Sequence, residues 1–513
     1  MSTARKILFN TVSQVIGKAC VALIGVFIIK IITSYLGKTG YGEYTTAFDY
    51  LALFSIIADL GLYTIGIREM SKDKDEIPKI MGNVLTIRTV FAIFTISIAA
   101  FVSFFIPQYQ GTHIPPAVML AGLAAFCNIL TTVISAVLQV NLKMEYNSLG
   151  SVIGKLVSLS YMVFIVYILR PVDQSFGFFQ FIVAGIMGNV AMLAVTWHYA
   201  RKFVPIRFQF DKAYAKSILI KALPYGLALI LNTVSFRIGS FALSILRTKA
   251  EVGIYGVPMR MLEAVGIIPL YFMNAVLPPL TQAIHRRDGS HQKIIQFAFD
   301  FLVMGSLPIV FGTFILAYPI VSIISSPEFL SHAGIHGSDT VLPILIFALS
   351  FSFINSLFAF ILIAADHQMK ILLRNIIGTT FIVIFSFTLI PRFGVLAAAY
   401  GNVITEGYMA VASYLLAKHY LKFKLNFTNT LKIIVSALTM AGVIYAIREP
   451  LFTHLQNKSV LILVPLGGVI YVGMLFLTKA ISKDMINMIR KPKAMVVESA
   501  EESRESSFPS DGF

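Results

Sequence analysis

Apolar stretches of roughly 17 to 34 residues, separated by short polar breaks, follow one another from near the N-terminus to about Thr478. A bilayer core asks for roughly 20 mostly apolar residues per helix. Fourteen segments qualify, at about 11–36, 44–66, 80–106, 115–140, 148–169, 178–199, 217–246, 250–283, 295–324, 341–364, 371–390, 395–417, 431–447 and 460–478. The pattern predicts an all-α integral membrane protein. An even number of spans puts both termini on one side. The longest predicted connections, Ala200–Lys216 on one side and Ser325–Thr340 on the other, leave no room for a large soluble module.

The chain also resembles itself. Lys38, Gly42 and Tyr44 recur as Lys249, Gly253 and Tyr255, an offset of 211 residues, and Ile7-Leu8 recurs as Ile218-Leu219. Gly188-Asn189-Val190 near the sixth span returns as Gly401-Asn402-Val403 near the twelfth, with the offset grown to 213. Two halves that start on the same side form a parallel repeat, related by an axis along the membrane normal. The expected organisation is a six-helix lobe over 1–205, a pseudo-symmetric six-helix lobe over 206–420, a central cavity between them, two additional helices over 421–480, and a cytoplasmic tail over 481–513. Glu498, Glu501, Glu502, Glu505 and Asp511 mark the end of that tail as acidic and disordered.

Composition agrees: 57% of residues are hydrophobic and only 13% charged, where soluble proteins carry about 25%. Mean hydropathy is +0.80. The net charge of +16 would suggest nucleic acid as a partner in a soluble chain, but here its placement argues for topology. With the N-terminus inside, and Lys432 at the inner edge of the thirteenth span counted with its loop, 26 of the 41 lysines and arginines fall in cytoplasmic segments, 7 in external loops and 8 within spans. That asymmetry places both termini in the cytoplasm. Arg5 and Lys6 precede a first span without a small-residue cleavage site, so the segment stays as a transmembrane helix. Cys20 and Cys127 lie in apolar runs and form no metal-ligand or disulfide pattern.

The cations within the spans carry the chemistry. Lys18, Lys30, Arg88, Lys155, Lys221, Arg237 and Arg260 each sit in an apolar run, where a charge costs about 2.5–3.5 kcal/mol on insertion scales. Such groups face a partner or a wet cavity. Gln14 and Lys18 share a face of the first span with Asn10, and Lys221, Tyr225, Asn232 and Ser235 share one on the seventh. The expected anion contacts are Lys18, Lys221, Arg237, Arg260 and Arg88, with Gln14 and Asn232 beside them. Depth along the helices suggests two ion pairs, Lys30 with Asp49 and Asp59 with Arg88, each level within a few ångströms. Glu263, one turn from Arg260, Glu406 and Asp59 are the acids suited to carry a coupling proton or sodium, or else to neutralise nearby arginines. Pro224, Pro258, Pro269, Pro278 and Pro279 predict bends in the seventh and eighth spans. His332 and His336, with Glu328 and Asp339, read as a solvated loop rather than a metal site. No P-loop, zinc-protease or dinucleotide fingerprint occurs.

The stretch Tyr35–Tyr44, YLGKTGYGEY, followed by Asp59–Leu62, DLGL, and then by Arg68 and a charged SKDKDE loop, resembles the opening of polysaccharide (O-antigen type) flippases. These belong to the multidrug/oligosaccharidyl-lipid/polysaccharide exporter superfamily. The resemblance implies two six-helix lobes around a central cavity, and movement of a polyprenyl-pyrophosphate-linked oligosaccharide from the cytoplasmic to the outer leaflet by alternating access. Gly37, Gly42, Tyr44, Asp59 and Gly61 match its motif and are architectural in character.

The chemistry of the spans fits such a cargo, because lysine and arginine hold a pyrophosphate while the prenyl tail stays in lipid. The expected protein is therefore a multi-pass carrier of the cell membrane and not an enzyme. It needs no cofactor, binds no nucleic acid and acts as a monomer in the bilayer. Coupling to protons or sodium, and association with polysaccharide polymerase or assembly proteins, stay open. A lipid II flippase shares the same cargo chemistry. An ion-coupled multidrug antiporter calls for a more acidic cavity, and a membrane glycosyltransferase or polymerase for larger external loops.

Overall fold

A computed structural model describes residues 3–73, 75–171, 173–286, 289–332 and 334–481, with side chains from Ser13 onward. The expected acidic tail lies outside the described residues. Among those residues the chain is helical and holds no strand beyond a single bridge, His332 to Ile335. The helices are α1 (Thr3–Asp59), α2 (Leu62–Lys72), α3 (Ile77–Ser103), α4 (Ile114–Val140), α5 (Met144–Phe164), α6 (Gln174–Ala200), α7 (Lys212–Leu246), α8 (Lys249–Val265), α9 (Ile267–Arg286), α10 (His291–Ile324), α11 (Ser338–Ala364), α12 (Gln368–Leu421), α13 (Thr428–Leu455) and α14 (Val460–Leu477).

Among the described residues, eleven helical runs are long and apolar enough to cross a membrane, which makes this a multi-pass membrane protein. The 57 residues of α1 would stretch about 85 Å as one straight helix, nearly three bilayer cores. It is instead broken at Gly37, whose φ of 64° and ψ of −177° lie outside the helical region. Positive φ is strained for any residue with a Cβ, so glycine is what permits the break. The 54-residue α12 breaks likewise at Gly394, and Gln456 divides α13 from α14. Three of the eleven runs (Ser13–Lys72, Gln368–Leu421 and Thr428–Leu477) thus each hold two predicted spans, consistent with fourteen crossings. The predicted span over 250–283 is two helices, parted at Gly266, with Pro269 in the first turn of α9 where its missing N–H costs little. Aspartates start two of the helices. The carboxylate of Asp173 accepts from the Ser175 N–H, and that of Asp211 from the N–H groups of Ala213 and Tyr214.

The described parts of the chain group into two compact units. The described residues of the first fall within Met1–Arg260, Val321–Val341 and Asn375–Asn402, and those of the second within Met261–Ile320, Leu342–Arg374 and Val403–Phe513. In the first, α1 packs on α4, α5 and α7, and α6 packs on α4 and α5. Its apolar core includes Leu62, Met81, Leu85, Ile134, Val137 and Ala222, all buried. Large apolar side chains such as Leu23, Phe27 and Phe101 are exposed, the inverted surface expected where lipid is the solvent. In the second unit, α13 packs on α14, and the Tyr471 hydroxyl of α14 donates to the Met304 carbonyl of α10.

One contact in the first unit follows the sequence repeat. A Cβ on Gly42 would lie 1.8 Å from the carbonyl oxygen of Lys249, and a Cβ on Gly253 would lie 2.1 Å from that of Lys38. Lys38 and Lys249, and Gly42 and Gly253, are the pairs matched at the 211-residue offset. The contact is reciprocal, so a local two-fold axis passes between the start of α8 and the part of α1 that follows Gly37. Only glycine at both crossing points allows the backbones so close.

A cation-lined cavity and a shared aspartate

About two turns beyond that crossing, Asp49 of α1 meets Arg237 of α7 and Arg260 of α8. Its Oδ1 accepts from Arg237 Nη1 at 2.6 Å and from Arg260 Nη2 at 3.0 Å, while its Oδ2 accepts from the Ser240 hydroxyl at 2.6 Å. Asp49 and Arg260 are 211 residues apart. They are therefore repeat equivalents that carry opposite charges and pair across the local axis. The carboxylate side chain is 5% exposed, the two arginines 17% and 26%. The acid is sealed, and its partners retain some access.

Arg237 also lines a cavity of about 330 Å³. Ser55 and Asp59 of α1, Arg88 of α3, Asn128 and Thr132 of α4, and Asn232 and Thr233 of α7 supply its other polar walls. Arg88 Nη2 lies 3.1 Å from Asp59 Oδ1, the pair expected from depth. Its Nε and Nη1 are buried and have no hydrogen-bond partner among the described residues. The guanidinium is thus only partly satisfied, a costly arrangement for a buried ion. Asn128 and Asn232 are exposed at their helix surfaces and line the cavity. Phe236 packs its ring 5.4 Å from the Arg237 guanidinium carbon. Two guanidiniums, amides, hydroxyls and an aromatic face suit a hydrated ligand with negative charge.

Lys30 does not pair with Asp49. Its ammonium donates to the carbonyls of Ser322 and Ser325 at 3.1 and 2.6 Å, on the far end of α10 and just beyond it. Depth fixes how far along a helix a residue lies, but not the direction it faces. Lys221 is half-exposed and lies 3.5 Å from Glu69, away from the cavity. Lys18 is exposed and Gln14 partly buried on α1, and neither lines the cavity. The polar stripe of α7 divides: Asn232 faces the cavity, Ser235 bonds Thr379 at 2.6 Å, and Tyr225 packs against Gly61. Asp49 is the residue that sequence reasoning placed with the wrong partner. The signal that finds it is the repeat offset itself, which superposes Asp49 on Arg260.

The second unit holds its own buried polar cluster. Arg374 Nη1 donates to Asn355 Oδ1 at 2.8 Å and to the Ser413 hydroxyl, which also bonds Asn355. Glu406 stands by Arg374 and bonds Ser352, while its Oε2 is buried without a partner among the described residues. Glu263 is partly buried on α8. No group of three or more potential metal ligands occurs among the described residues.

A family profile described as "Polysaccharide biosynthesis protein" matches residues 4–285, more than half of the chain. No curated protein sequence matches. Among solved structures, the fold is similar to one described as the lipid II flippase MurJ in an inward closed conformation. The TM-score is 0.70 at 14% identity, covering 91% of this chain and 98% of that one. It is also similar to an inward-facing multidrug resistance MATE transporter of the MOP superfamily, with TM-score 0.63, 15% identity, and coverage of 80% and 98%. A MOP superfamily transporter from Pyrococcus furiosus matches with TM-score 0.57 and 17% identity, over 81% and 95% of the two chains. At these identities the likeness establishes the fold.

Proposed function

The chain belongs to the polysaccharide biosynthesis protein family, and on that premise we propose that it is a flippase for polyprenyl-pyrophosphate-linked oligosaccharide. It moves this cargo from the cytoplasmic to the outer leaflet of the cell membrane, with both termini in the cytoplasm, and catalyses no covalent step. The observation that carries the reading is the cavity of the first unit. Arg88 and Arg237 stand there among asparagine amides and Ser and Thr hydroxyls, at positions flanked along the chain by lipid-length apolar sequence. The charged residues that line the cavity are two arginines, Arg88 and Arg237, and one acid, Asp59. That balance favours an anionic head group and disfavours the cationic cargo of a drug antiporter. Hydroxyls and amides match the sugar, and the two guanidiniums match the phosphates.

Alternating access by two six-helix lobes provides the route, with Glu406, Glu263 and Asp59 as the acids available to couple it to protons or sodium. Purified protein in proteoliposomes should flip a fluorescent polyprenyl-pyrophosphate oligosaccharide and leave a cationic dye unmoved. Transport of the dye alone, under a proton or sodium gradient, would overturn the reading in favour of an antiporter. Flipping of lipid II in preference to other glycans would narrow the cargo to that precursor.

A further inference from the structure

We propose that Asp49 is an internal competitor for the cargo's phosphate: it holds Arg237 and Arg260 while the site is empty, and releases them to the anion that arrives. The inference rests on the reading of a pyrophosphate cargo and goes beyond it, to how binding is linked to movement of the helices.

The donor set around Asp49 is the first observation. Two guanidiniums converge on one oxygen and a serine hydroxyl on the other, at 2.6, 3.0 and 2.6 Å. The two guanidiniums are also what a phosphate group takes up, since both anions accept charge-assisted hydrogen bonds through oxygen, whereas Ser240 is buried and serves Asp49 alone. The second is exposure. Asp49 is almost fully enclosed, whereas Arg237 lines the cavity and Arg260 is about a quarter exposed. The arginines can therefore turn toward a ligand that the carboxylate does not meet. The third is charge. An entering pyrophosphate carries more than one negative charge and draws the two guanidiniums more strongly than the single carboxylate of Asp49 does.

Position gives the exchange a consequence. Asp49 and Arg260 are repeat equivalents paired across the local axis. They stand on the same two helices, α1 and α8, as the reciprocal crossing of Gly42 with Lys249 and Gly253 with Lys38. The ion pair thus fastens the two repeat-related helices about two turns from the point where their backbones touch. Moving both arginines from Asp49 to the cargo unfastens them. A ligand shifts a conformational equilibrium only through a difference in its contacts with the two states, and this transfer of Arg237 and Arg260 provides one.

The test measures binding of farnesyl diphosphate, a soluble prenyl diphosphate, to the full-length protein in detergent by calorimetry. Asp49→Asn keeps the shape of the side chain and removes its charge. If Asp49 occupies the arginines nine-tenths of the time or more, the variant binds tighter by about tenfold or more, because the fraction competent to bind rises. Ser240→Ala, which weakens the hold on Asp49 without touching a charge, shifts affinity in the same direction by a smaller factor. Adding Arg237→Gln to Asp49→Asn abolishes the gain. A folded Asp49→Asn protein that binds equally or more weakly, together with an unshifted Ser240→Ala, overturns the competitor and leaves the pyrophosphate reading intact. Should Asp49→Asn not fold, the direction of the Ser240→Ala shift decides alone. Binding by neither wild type nor any folded variant overturns both.

Discussion

Arg88 shows what single residues contribute to this cavity. Its guanidinium is 4% exposed, with one nitrogen on Asp59 and two left without hydrogen bonds. Removing the partner of a buried charge costs about 3–5 kcal/mol, because the remaining ion keeps its desolvation penalty. Asp59→Ala should therefore lower the thermal unfolding midpoint in detergent, and Arg88→Met on the same background should restore most of it. An unchanged midpoint in Asp59→Ala would show that Arg88 is satisfied by other means. Lys221 provides the contrast. Its side chain is 53% exposed and its distance to Glu69 is 3.5 Å, so Lys221→Ala should leave the midpoint within the range of about 1 kcal/mol typical of surface pairs. At this scale the sequence is legible only in part. The Asp59–Arg88 pair can be read from depth because its members lie on consecutive predicted spans, the second and the third. Asp49 draws its partners from 188 and 211 residues away, and helical spacing within one segment carries no information about them. Lys30 ends on backbone carbonyls, which no pattern of side chains announces.

Helices were the most readable elements, because length and hydropathy alone decide what can cross a bilayer. Less readable were their breaks. Gly37, Gly394 and Gly266 end or divide helices inside or beside apolar runs, where the hydrophobic pattern hardly changes. The repeat, by contrast, marks Gly42 and Gly253 in the sequence, and these are the residues at the backbone crossing. Alanine for glycine in a helix interior ordinarily gains about 0.5–1 kcal/mol. Here the sign should reverse. Gly42→Ala and Gly253→Ala each drive a methyl group into a carbonyl oxygen and should reduce the yield of monodisperse protein in size-exclusion chromatography. Gly473→Ala, with open space around its Cβ position, should match wild type. Equal yields from all three would mean that α1 and α8 do not depend on their close approach.

For the whole molecule, family membership, a fold shared with MOP superfamily transporters and a cavity lined by two arginines bear on the same question. The apolar surface fits a bilayer, and the arginines, amides and hydroxyls of the cavity fit a hydrated anion. The sequence conveyed the excess of intramembrane cations, but not which of them converge. Arg88 and Arg237 line one cavity, with Arg260 joined to it through Asp49, while Lys18 and Lys221 stand elsewhere. The most direct measurement is the initial rate of flipping of a fluorescent polyprenyl-pyrophosphate oligosaccharide in proteoliposomes, for wild type, Arg88→Gln, Arg237→Gln and Lys221→Gln, each shown to be folded. The account predicts a loss of tenfold or more for the two cavity arginines, on the order of a charge-assisted contact, and a rate near wild type for Lys221→Gln. Wild-type rates in both Arg88→Gln and Arg237→Gln would contradict it.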